Sequence, residues 1–554
     1  MARKPAATAA SSAAEEPYTL RVRSAGGGTT DFPVRFHPDC RQQPKLDANR
    51  ERMLGAAEEN KGVLVIYSGG TIGSAPNDPE DPQSPQVVKS WPELVAHFPP
   101  FREETPYALN FRLDAVAFEE PLDSSNMGPT EWNAVAQLLK KYMDDYEGFV
   151  IAHGTDTMVY SASALSFMLQ HLKKPVILTG SQLSGIGNVR NDAQQNLITA
   201  ILIANWRYSR IPRVPEVCIL FGDKLLRGNR AIKVDADGYA AYETPNYGVL
   251  GTAGAKIAIH EELVRKPDER QFSVNERLDT NVMDVVVFPG IQSTDLLSRI
   301  LHLPDLRAVV LRTFGAGNTP THPEFLAQLD VAREKGIVVV NVTQCAHGSV
   351  EMGLYETSAV LMKYGVVSGI DSTPVAALTK LMVLLGDDRL RTAEQVAQRV
   401  QEDMCGEQSE NIFVTSMGPE AEEPGDWRIK LDAASPVARM LTGRDLPALD
   451  DDHFRHASLI LHSATVVTGE GERADVNVYI NVARDEPLHS DHERIACAAP
   501  RLAMDDGTLV FDVSTGLKKY VDEGDVNAFT IELASPGAEL SWSGAELALH
   551  TATA

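Results

Sequence analysis

The sequence has few cysteines, and their arrangement argues against two kinds of small domain. Its 554 residues include five cysteines, with no C-x-x-C pair among them. An odd number of scattered cysteines gives neither a disulfide framework nor a zinc ribbon, and it fits a reducing compartment. The first 17 residues are rich in Ala and Ser and lack the apolar core of a secretory signal. They therefore predict a tail without fixed structure and a cytosolic protein.

Long apolar runs and an excess of positive charge are also missing. No apolar run approaches the roughly 20 residues that a membrane helix needs, so we expect no membrane association. Lys and Arg number 51 against 76 Asp and Glu, which gives a net charge of −25. Such a charge repels phosphate groups on average, which argues against a nucleic-acid-coating function but not against a small basic site. Hydrophobic residues at 43% and charged residues at 23% are typical of a globular protein.

The pattern of the sequence changes several times along the chain. Apolar residues alternate at 18–22 and 32–36 around three glycines, which predicts a β-hairpin that could belong to a β unit further along the chain. The predicted segments are a tail (1–17), a β-hairpin extension (18–60), an N-terminal α/β domain (61–270), a smaller α/β domain (271–410), an acidic linker (411–427) and a β-rich domain (428–554).

An α/β architecture is predicted for residues 62–400, where short apolar runs alternate with helical patterns. Continuous apolar runs suit strands that are covered on both faces, as in parallel sheets. Apolar residues at helical spacing predict helices over 130–146 and 157–172, the second with an N-cap at Asp156 or Thr157, and a third helix that ends near Gly336. The predicted strands lie at 63–66, 149–152, 176–178, 217–220, 285–288, 309–311 and 337–340.

The last part of the chain is predicted to be all β. Residues 402–426 include eight acidic residues and no Lys or Arg, which indicates a linker. Beyond it, alternation such as Val476, Val478 and Ile480 predicts a small antiparallel β-sandwich. Two histidine pairs lie in this region, but zinc needs about four converging ligands, so we expect loop histidines rather than a metal site. The pairs are His453-x-x-His456 and His489-x-x-His492.

Two glycine-containing motifs follow predicted strands of the α/β region. Tyr67-Ser68-Gly69-Gly70-Thr71-Ile72-Gly73 comes after 63–66, and His153-Gly154-Thr155-Asp156-Thr157-Met158 comes after 149–152. Loops at the carboxyl ends of strands are where α/β folds bind ligands. Glycines let the backbone approach a ligand closely, and a helix start offers free N–H groups. Each motif alone also fits an ordinary turn or cap, whereas the two together indicate a functional site.

On these motifs, the sequence resembles the bacterial-type L-asparaginases, and most closely their cytosolic type I branch, over about residues 61–400. The resemblance implies a two-lobed α/β core with parallel sheets and hydrolysis of L-asparagine to L-aspartate and ammonia. It further implies a homodimer or homotetramer with no metal or organic cofactor. It continues in Asp123-Ser124-Ser125-Asn126-Met127, Gly180-Ser181-Gln182, Arg227-Gly228-Asn229-Arg230-Ala231-Ile232-Lys233 and Asn341-Val342-Thr343-Gln344-Cys345.

The resemblance also implies roles for the matched catalytic residues. Thr71 matches the nucleophile that forms an acyl-enzyme, and Thr155, Asp156 and Lys233 match a second catalytic cluster. Threonine is a weak nucleophile near pH 7, so it needs a base or electrostatic help. Lys233, held in place by Asp156, is the candidate for that help. Without the resemblance, Lys233 would be interpreted as an ordinary surface lysine.

Substrate binding is implied for the loop that contains Asp123, Ser124 and Ser125, together with Thr155 and Asp156. These positions match the family's contacts to the α-carboxylate and α-amino groups of the substrate. In this interpretation Asp156 pairs with the ammonium group. Backbone N–H groups near Thr155 are the candidate donors to the oxyanion.

Two departures from the family pattern stand out. The lid at 74–90 has no tyrosine, although many family members use one to contact the nucleophile, so Tyr67 and Tyr242 are candidate substitutes. Arg312 and Cys345 match a family allosteric site for asparagine, but Ile232 replaces a threonine of that site and removes a hydrogen bond. Cys345 equally fits the interpretation of a buried small hydrophobic residue, which we favour.

Two alternative functions remain open. The asparaginase-like subunit of a tRNA-dependent amidotransferase shares these motifs and adds an N-terminal β module, which residues 18–60 could supply. The net charge and the C-terminal β region argue against it. A non-catalytic asparagine sensor would explain the missing lid tyrosine, but it would not need a nucleophile. A lysophospholipase-type fusion is also known in the family, although its ankyrin repeats are absent here. The preference between asparagine and glutamine depends on pocket shape.

Overall fold

The structure is a computed structural model, in which the chain forms two compact units. The first comprises Met1–Thr280 and Leu378–Asp387, and the second comprises Asn281–Ala377 and Asp388–Ala554. No helix within the described part of the chain is long and apolar enough to cross a membrane. The structure describes residues 16–24, 27–38, 60–78, 80–81, 84–98, 101, 109, 111–267, 269–293, 295–352, 356–419, 428–431, 454–462, 464–467, 476–480, 495–497, 502–503, 508–521, 528–533 and 539–552.

The first unit is built on a ten-stranded mixed sheet. The strands of this unit are β1 (Tyr18–Ser24), β2 (Gly28–His37), β3 (Val63–Gly69), β4 (Ser74–Pro76), β5 (Gln86–Val88), β6 (Leu113–Leu122), β7 (Gly148–Ala152), β8 (Leu169–Gln170), β9 (Val176–Thr179), β10 (Val217–Phe221), β11 (Lys224–Arg227), β12 (Ile232–Lys233), β13 (Tyr242–Glu243), β14 (Gly251–Ala253), β15 (Ile257–Ile259) and β16 (Ser273–Val274). The order in the sheet is β1-β2-β6-β3-β7-β9-β10-β11-β14-β15.

The centre of this sheet is parallel, as the continuous apolar runs predict. Strands β6, β3, β7, β9 and β10 pair in parallel, and antiparallel strands flank them on both sides. Every residue of β3, β7, β9 and β10 is buried. Burial on both faces explains why these strands lack polar alternation. The parallel pairing brings the carboxyl ends of β3 and β7, and the motifs that follow them, to one edge of the sheet.

Five helices of the first unit lie between these strands in the described sequence. Two of them were predicted longer than they are. The second predicted helix, at 157–172, ends at Met168 because Leu169 and Gln170 pair with β16 and His171 has a positive φ of 58°. The helices are α1 (Trp91–Val95), α2 (Pro129–Tyr142), α3 (Met158–Met168), α4 (Ala193–Ala204) and α5 (Trp206–Ser209).

The N-terminal hairpin is part of the first unit's sheet. Strand β1 pairs antiparallel with β2, which confirms the predicted hairpin, and β2 pairs in turn with β6 through Val34 and Phe118. Val34 is fully buried and the Tyr18 hydroxyl lies 3.2 Å from the Tyr142 hydroxyl of α2. The suggestion that the hairpin belongs to the C-terminal β domain is therefore wrong. The predicted tail lies outside the described residues up to position 15.

The α/β part of the second unit has a four-stranded parallel sheet. The strands pair in the order β17 (Val282–Val286), β18 (Ala308–Thr313), β19 (Val338–Thr343) and β20 (Val367–Ser368). Strand β17 ends earlier than the predicted 285–288, whereas β18 covers the predicted 309–311 and β19 covers all but the first residue of the predicted 337–340. The helices are α6 (Leu296–Leu301), α7 (Pro323–Glu334), α8 (Glu356–Lys363), α9 (Pro374–Leu385) and α10 (Ala393–Val400).

Helix boundaries here follow backbone chemistry. Helix α7 stops just before Gly336, whose φ of +68° suits the predicted C-terminal glycine. Most of α9, from Leu378 onward, belongs to the first unit. There Thr379 lies 2.8 Å, hydroxyl to hydroxyl, from Ser163 of α3, and the Asp279 amide donates to the Met382 carbonyl. The first unit is therefore discontinuous in sequence.

The rest of the second unit is an antiparallel β domain. Nine of its described strands form one continuous sheet around a shared core that includes Leu459, Val478, Phe511, Phe529 and Leu547. The predicted antiparallel β domain is therefore confirmed, and two further described strands pair in a separate two-stranded sheet. The strands are β21 (Glu410–Pro419), β22 (Arg428–Leu431), β23 (Phe454–His462), β24 (Thr465–Val467), β25 (Val476–Ile480), β26 (Ile495–Cys497), β27 (Leu502–Ala503), β28 (Leu509–Asp512), β29 (Ala528–Leu533), β30 (Glu539–Ser541) and β31 (Gly544–Ala552), and the helix is α11 (Ser514–Val521).

Strand β21 occupies the first part of the predicted acidic linker. It pairs with β31 from Glu410 opposite Ala552 to Met417 opposite Ala545. Ile412 is 6% exposed, so the apolar run between the two acidic clusters forms a strand rather than a linker. The linker prediction over 411–427 is wrong at 411–419, because it gave the acidic residues more weight than the apolar run between them. Residues 420–427 lie outside the described part of the chain.

Candidate active site

The two glycine-containing motifs meet at the carboxyl edge of the large sheet. Gly69 and Gly70 have φ values of +122° and +89°, a backbone region that side chains disfavour. A Cβ added to Gly70 would lie 2.3 Å from the amide nitrogen of Gly154, so the backbones of the two motifs are in direct contact. Thr71 follows at the start of a single 3₁₀ turn. The glycines therefore bring Thr71 next to the second motif.

The loop after β6 joins the same cluster through Ser124. This residue is 3% exposed, and a Cβ on Gly154 would lie 2.5 Å from its hydroxyl oxygen. The Asp156 amide donates to that hydroxyl at 3.3 Å, and the Thr157 hydroxyl donates to the Ser124 carbonyl at 2.6 Å. Thr157 is the N-cap residue of helix α3, as predicted, but neither its side chain nor that of Asp156 makes a capping hydrogen bond. These side chains instead tie the loop to the second motif or extend into the site.

Lys233 lies on the short strand β12 and contacts two residues of the second motif. Its ammonium nitrogen donates to the Thr155 hydroxyl at 3.0 Å and to the Asp156 carboxylate at 2.8 Å. The Lys233 side chain is 18% exposed and that of Asp156 is 68% exposed, so the cluster opens toward solvent on the Asp156 side. Lys233 is therefore not an ordinary surface lysine. The structure brings together the three residues of the predicted second cluster, while their catalytic roles stay predictions.

Asp123 and Ser125 lie at the exposed rim of the same loop. The Asp123 carboxylate accepts hydrogen bonds from the hydroxyl and the amide of Ser125, at 2.7 and 2.8 Å. These two bonds lower the pKa of the Asp123 carboxyl below its ordinary value. The carboxylate is therefore charged near neutral pH and suited to an ammonium group. Its predicted role in substrate binding, with Ser124 and Ser125, stays a prediction.

The hydroxyl group of Thr71 has no hydrogen-bond partner in the described part of the chain. Neither tyrosine proposed to replace the lid tyrosine bonds to it. The Tyr67 hydroxyl donates to the Lys89 carbonyl at 2.6 Å, and the Tyr242 hydroxyl donates to the Thr155 carbonyl. Burial raises the pKa of both phenols, which keeps them protonated. Both hydroxyls therefore stabilise backbone around the site rather than the nucleophile.

His153, to which the sequence analysis assigned no role, stabilises the second motif through hydrogen bonds of its buried ring. Its ring is 1% exposed; Nδ1 lies 2.7 Å from the Gly154 carbonyl and Nε2 lies 2.8 Å from the Ser161 hydroxyl. That hydroxyl oxygen also accepts the indole N–H of Trp132 at 2.9 Å. The Ser161 proton therefore points to Nε2 and the histidine carries its proton on Nδ1. Burial lowers the pKa of His153 to about 4, so the ring is neutral.

Only one feature of the sequence points to this chain of hydrogen bonds. Trp132 and Ser161 lie on α2 and α3, and their polar atoms meet His153 only after the helices pack on the sheet. That feature is the position of His153 inside a motif that follows a predicted strand. Its partners depend on tertiary contacts that spacing does not encode.

The two residues of the predicted allosteric site lie at neighbouring strand ends of the second unit. Arg312 is on β18, and Cys345 follows β19 two residues after its end. The Gln344 side-chain amide donates to the Arg312 carbonyl at 2.9 Å, and the Arg312 guanidinium lies 3.6 Å from the Asp284 carboxylate. Cys345 is exposed, so its interpretation as a buried residue is wrong. The allosteric role stays a prediction.

Of the four histidines in the C-terminal pairs, only His456 lies within the described residues. Its ring nitrogens lie 2.8 Å from the Ser514 hydroxyl and 2.9 Å from the Ser458 hydroxyl. In the described part of the chain, no three His, Cys, Asp or Glu side chains are grouped so that they could hold a metal ion.

Comparison with known proteins identifies the family. Residues 62–265 match the model of the asparaginase N-terminal domain, and residues 281–398 match that of the glutaminase/asparaginase C-terminal domain. L-asparaginase 1 of Escherichia coli K12 is 38% identical over 63% of this chain and 98% of its own length. The crystal structure of L-asparaginase I from Vibrio cholerae is 37% identical, with a TM-score of 0.55, over 63% of this chain and all of that one.

A second group of relatives is longer. The human 60 kDa lysophospholipase is 40% identical over 61% of this chain, and the match spans 60% of the human protein. The shared part is in each case limited to about three fifths of this chain, which leaves the C-terminal β domain largely outside the matched region. Since it matches both domain models and almost the whole of the E. coli protein, the chain belongs to the asparaginase family.

Proposed function

We propose that the protein hydrolyses L-asparagine to L-aspartate and ammonia through an acyl-enzyme on Thr71. The observation that carries the proposal is the pair of hydrogen bonds from Lys233 to Thr155 and Asp156, beside the glycine turn that presents Thr71. The Thr71 hydroxyl and a proton-transfer group, Lys233 with Thr155, therefore lie together at the carboxyl ends of the parallel strands. The two matched family models support the same reaction class.

In the first half of the reaction, the Thr71 hydroxyl attacks the carboxamide carbon of the substrate. A C–O bond forms, the carbonyl electrons move to the oxygen, and the C–N bond then breaks. This step uses the neutral amine of Lys233: Thr155 passes its own proton to that amine as it accepts the proton of Thr71, and ammonia departs with a proton returned by the same pair. Because Lys233 contacts the Thr155 oxygen directly, Thr155 can act as the relay between the lysine and the substrate.

In the second half, water attacks the ester that links the substrate acyl group to Thr71. The same pair accepts a proton from the water and returns it to the Thr71 oxygen as aspartate leaves. An oxyanion forms in each half of the reaction and needs hydrogen-bond donors. Each backbone N–H that donates to it commonly stabilises the transition state by about 3 kcal/mol. The amide of Thr155 is our candidate donor, since the Gly154 carbonyl on the same peptide is held by His153.

Recognition of a small amino acid fits the polar groups around Thr71. The charged Asp123 and Asp156 carboxylates suit the α-ammonium group, and the hydroxyls of Ser124 and Ser125 suit the α-carboxylate. Glutamine differs from asparagine by one methylene, which is worth only about 1–3 kcal/mol in binding, so both are tested as substrates. The name of the human relative makes a lysophospholipid a further substrate to test.

The alternatives are weaker on structural grounds. An amidotransferase subunit with a separate N-terminal β module is not supported by residues 18–38, since the hairpin they form continues the large sheet. A non-catalytic sensor would not need the hydrogen bond from Lys233 to the Thr155 hydroxyl. We also propose a homo-oligomer in the cytoplasm, in line with the family resemblance. Sedimentation of the purified protein and fractionation of cells test these two points.

The decisive experiment measures ammonia release by the purified protein with L-asparagine or L-glutamine, and fatty-acid release with a lysophospholipid. Thr71→Ala should abolish the release from asparagine, whereas Thr71→Ser, which keeps a hydroxyl, should retain part of it. Mass spectrometry after an acid quench should detect the aspartyl ester on Thr71. Release of fatty acid from the lysophospholipid without release of ammonia would overturn the proposal. Thermal stabilisation by asparagine without turnover would favour the sensor.

A further inference from the structure

A single buried tyrosine connects the two halves of the candidate catalytic cluster. Tyr242 lies on β13 directly opposite Lys233 on β12, so the backbones of the two residues are register partners. Its hydroxyl reaches across to donate a hydrogen bond to the Thr155 carbonyl. Lys233 in turn donates to the Thr155 side chain at 3.0 Å. The three residues therefore form a closed ring of contacts.

The peptide group between Thr155 and Asp156 is held at both ends. Tyr242 donates to its carbonyl oxygen, and its N–H, on Asp156, donates to the Ser124 hydroxyl at 3.3 Å. This peptide joins the two residues that accept from Lys233. A displacement of this peptide would move both acceptor side chains relative to the ammonium group, since each is attached to one of the two α-carbons that the peptide joins.

The environment of Tyr242 makes its hydroxyl a fixed point. The residue is 2% exposed, and its ring packs edge-on against Phe221 with the centroids 4.9 Å apart. Beside it, the Val234 amide donates to the Ala241 carbonyl at 2.8 Å and closes the turn that joins β12 to β13. A rigid aromatic side chain on a paired strand can hold a backbone carbonyl more firmly than a loop residue could.

We propose that Tyr242 is a positioning residue, which sets the distance between Lys233 and Thr155 by fixing the Thr155 carbonyl. This inference rests on the proposed function for its catalytic readout. The hydroxyl has no contact with Thr71, so Tyr242 does not substitute for a lid tyrosine. It acts through Thr155.

The test compares Tyr242→Phe with Tyr247→Phe. Both changes remove one hydroxyl, and the hydroxyl of Tyr247 also bonds to a backbone carbonyl, that of Leu263 at 2.9 Å. Both variants should unfold at slightly lower temperature than the wild type. Only Tyr242→Phe should lower kcat, by roughly tenfold for the loss of one buried hydrogen bond, with KM changed by less than about twofold.

A double-mutant cycle separates positioning from general stability. In a Thr155→Val background the relay hydroxyl is gone, so Tyr242→Phe should change kcat by less than about twofold. If Tyr242→Phe leaves kcat of the wild type unchanged, or lowers it by the same factor in both backgrounds, the positioning role is overturned.

A readout that does not need turnover distinguishes this proposal from the proposed function. If the wild type releases no ammonia, the proposed function fails. The positioning role is then tested by the rate at which acetic anhydride acetylates Lys233, measured by mass spectrometry. Lys233 should react faster in Tyr242→Phe than in the wild type, and at the wild-type rate in Tyr247→Phe. Equal rates in all three proteins would overturn the proposal.

Discussion

Arg227 and Glu216 form a two-point ion pair in which each side chain is 4% exposed, with nitrogen-to-oxygen distances of 2.6 and 3.1 Å. Arg227 ends strand β11, six residues before Lys233, and Glu216 immediately precedes β10. The neighbouring carboxylate raises the pKa of the arginine despite its burial, so the guanidinium group is charged. It fixes the start of the segment that delivers Lys233.

Glu216→Gln should therefore destabilise the protein and loosen this segment. Removing one partner of a buried pair leaves the other charge uncompensated and commonly costs about 3–5 kcal/mol. We expect a large fall in melting temperature and a lower kcat at temperatures where the variant is still folded. Asp31→Asn breaks the exposed Arg21–Asp31 pair on the hairpin and is the control, since it should leave both quantities unchanged. Similar melting curves for the two variants would contradict this account.

Lys233→Met should remove proton transfer while keeping much of the side-chain volume. A positioned acid–base group typically contributes a factor of about 10²–10⁴, and we expect kcat to fall by that order. Lys233→Arg should be nearly as slow, because a guanidinium group does not give up its proton near neutral pH. Lys256→Met changes an exposed lysine of the same unit and should keep wild-type kcat. Steady-state ammonia release measures all three, and activity in Lys233→Arg near the wild-type level would exclude proton transfer by Lys233.

His153 should make the protein less stable in acid. Its pKa is about 4 in the folded state against an ordinary value of 6.5, so below pH 6.5 the unfolded chain binds a proton that the folded protein does not. The free energy of unfolding should then fall by up to about 1.4 kcal/mol per pH unit as the pH drops from 6.5 toward 4. Above pH 6.5 this contribution is constant.

Urea unfolding at pH 7.0, 6.0 and 5.0 measures this dependence. In His153→Asn, which can still donate to the Gly154 carbonyl, the loss of stability between pH 6.5 and 5 should be smaller than in the wild type. His260→Gln removes a histidine at the surface and should keep the wild-type pH dependence. Parallel curves for the wild type and His153→Asn would show that His153 does not titrate in this way.

The N-terminal hairpin should contribute to the stability of the first unit. Val34 on β2 is fully buried, and its replacement by Ala should cost roughly 2 kcal/mol through lost burial and the cavity left behind. Thr19→Ala changes an exposed position of β1 and should be close to neutral. Calorimetry should show the effect of Val34→Ala in the unfolding transition of the catalytic sheet. An unchanged transition would mean that the hairpin folds independently.

Much of the first unit could be predicted because its buried parallel strands carry continuous apolar runs. Strands β3 and β7 lie where the runs at 63–66 and 149–152 placed them, and the motifs that follow meet as expected. The hairpin could be predicted but its location could not, since nothing in an alternating strand specifies which sheet edge it joins. That choice depends on pairing with the edge of β6 that β3 does not occupy, and on contacts with α2.

The supporting residues of the site were harder to predict than its reactive ones. Thr155, Asp156 and Lys233 lie inside motifs, and their proximity followed from the family pattern. Tyr242 and Glu216 act through backbone or charge partners that are distant in sequence, so no local pattern marks them. The acidic linker was misplaced for a related reason, because pairing with β31 outweighs the acidic residues that flank β21.

The discontinuity of the first unit has a consequence for protein synthesis. Its segment Leu378–Asp387 leaves the ribosome only after Asn281–Ala377 of the other unit has been made. At roughly 5–20 residues per second, the first unit must wait about 5–20 s for the helix that contributes Thr379 to α3. During that interval Ser163 and the adjoining surface of α3 lack their final partner. A nascent chain stalled before residue 378 should therefore be more sensitive to protease than one stalled well beyond residue 387.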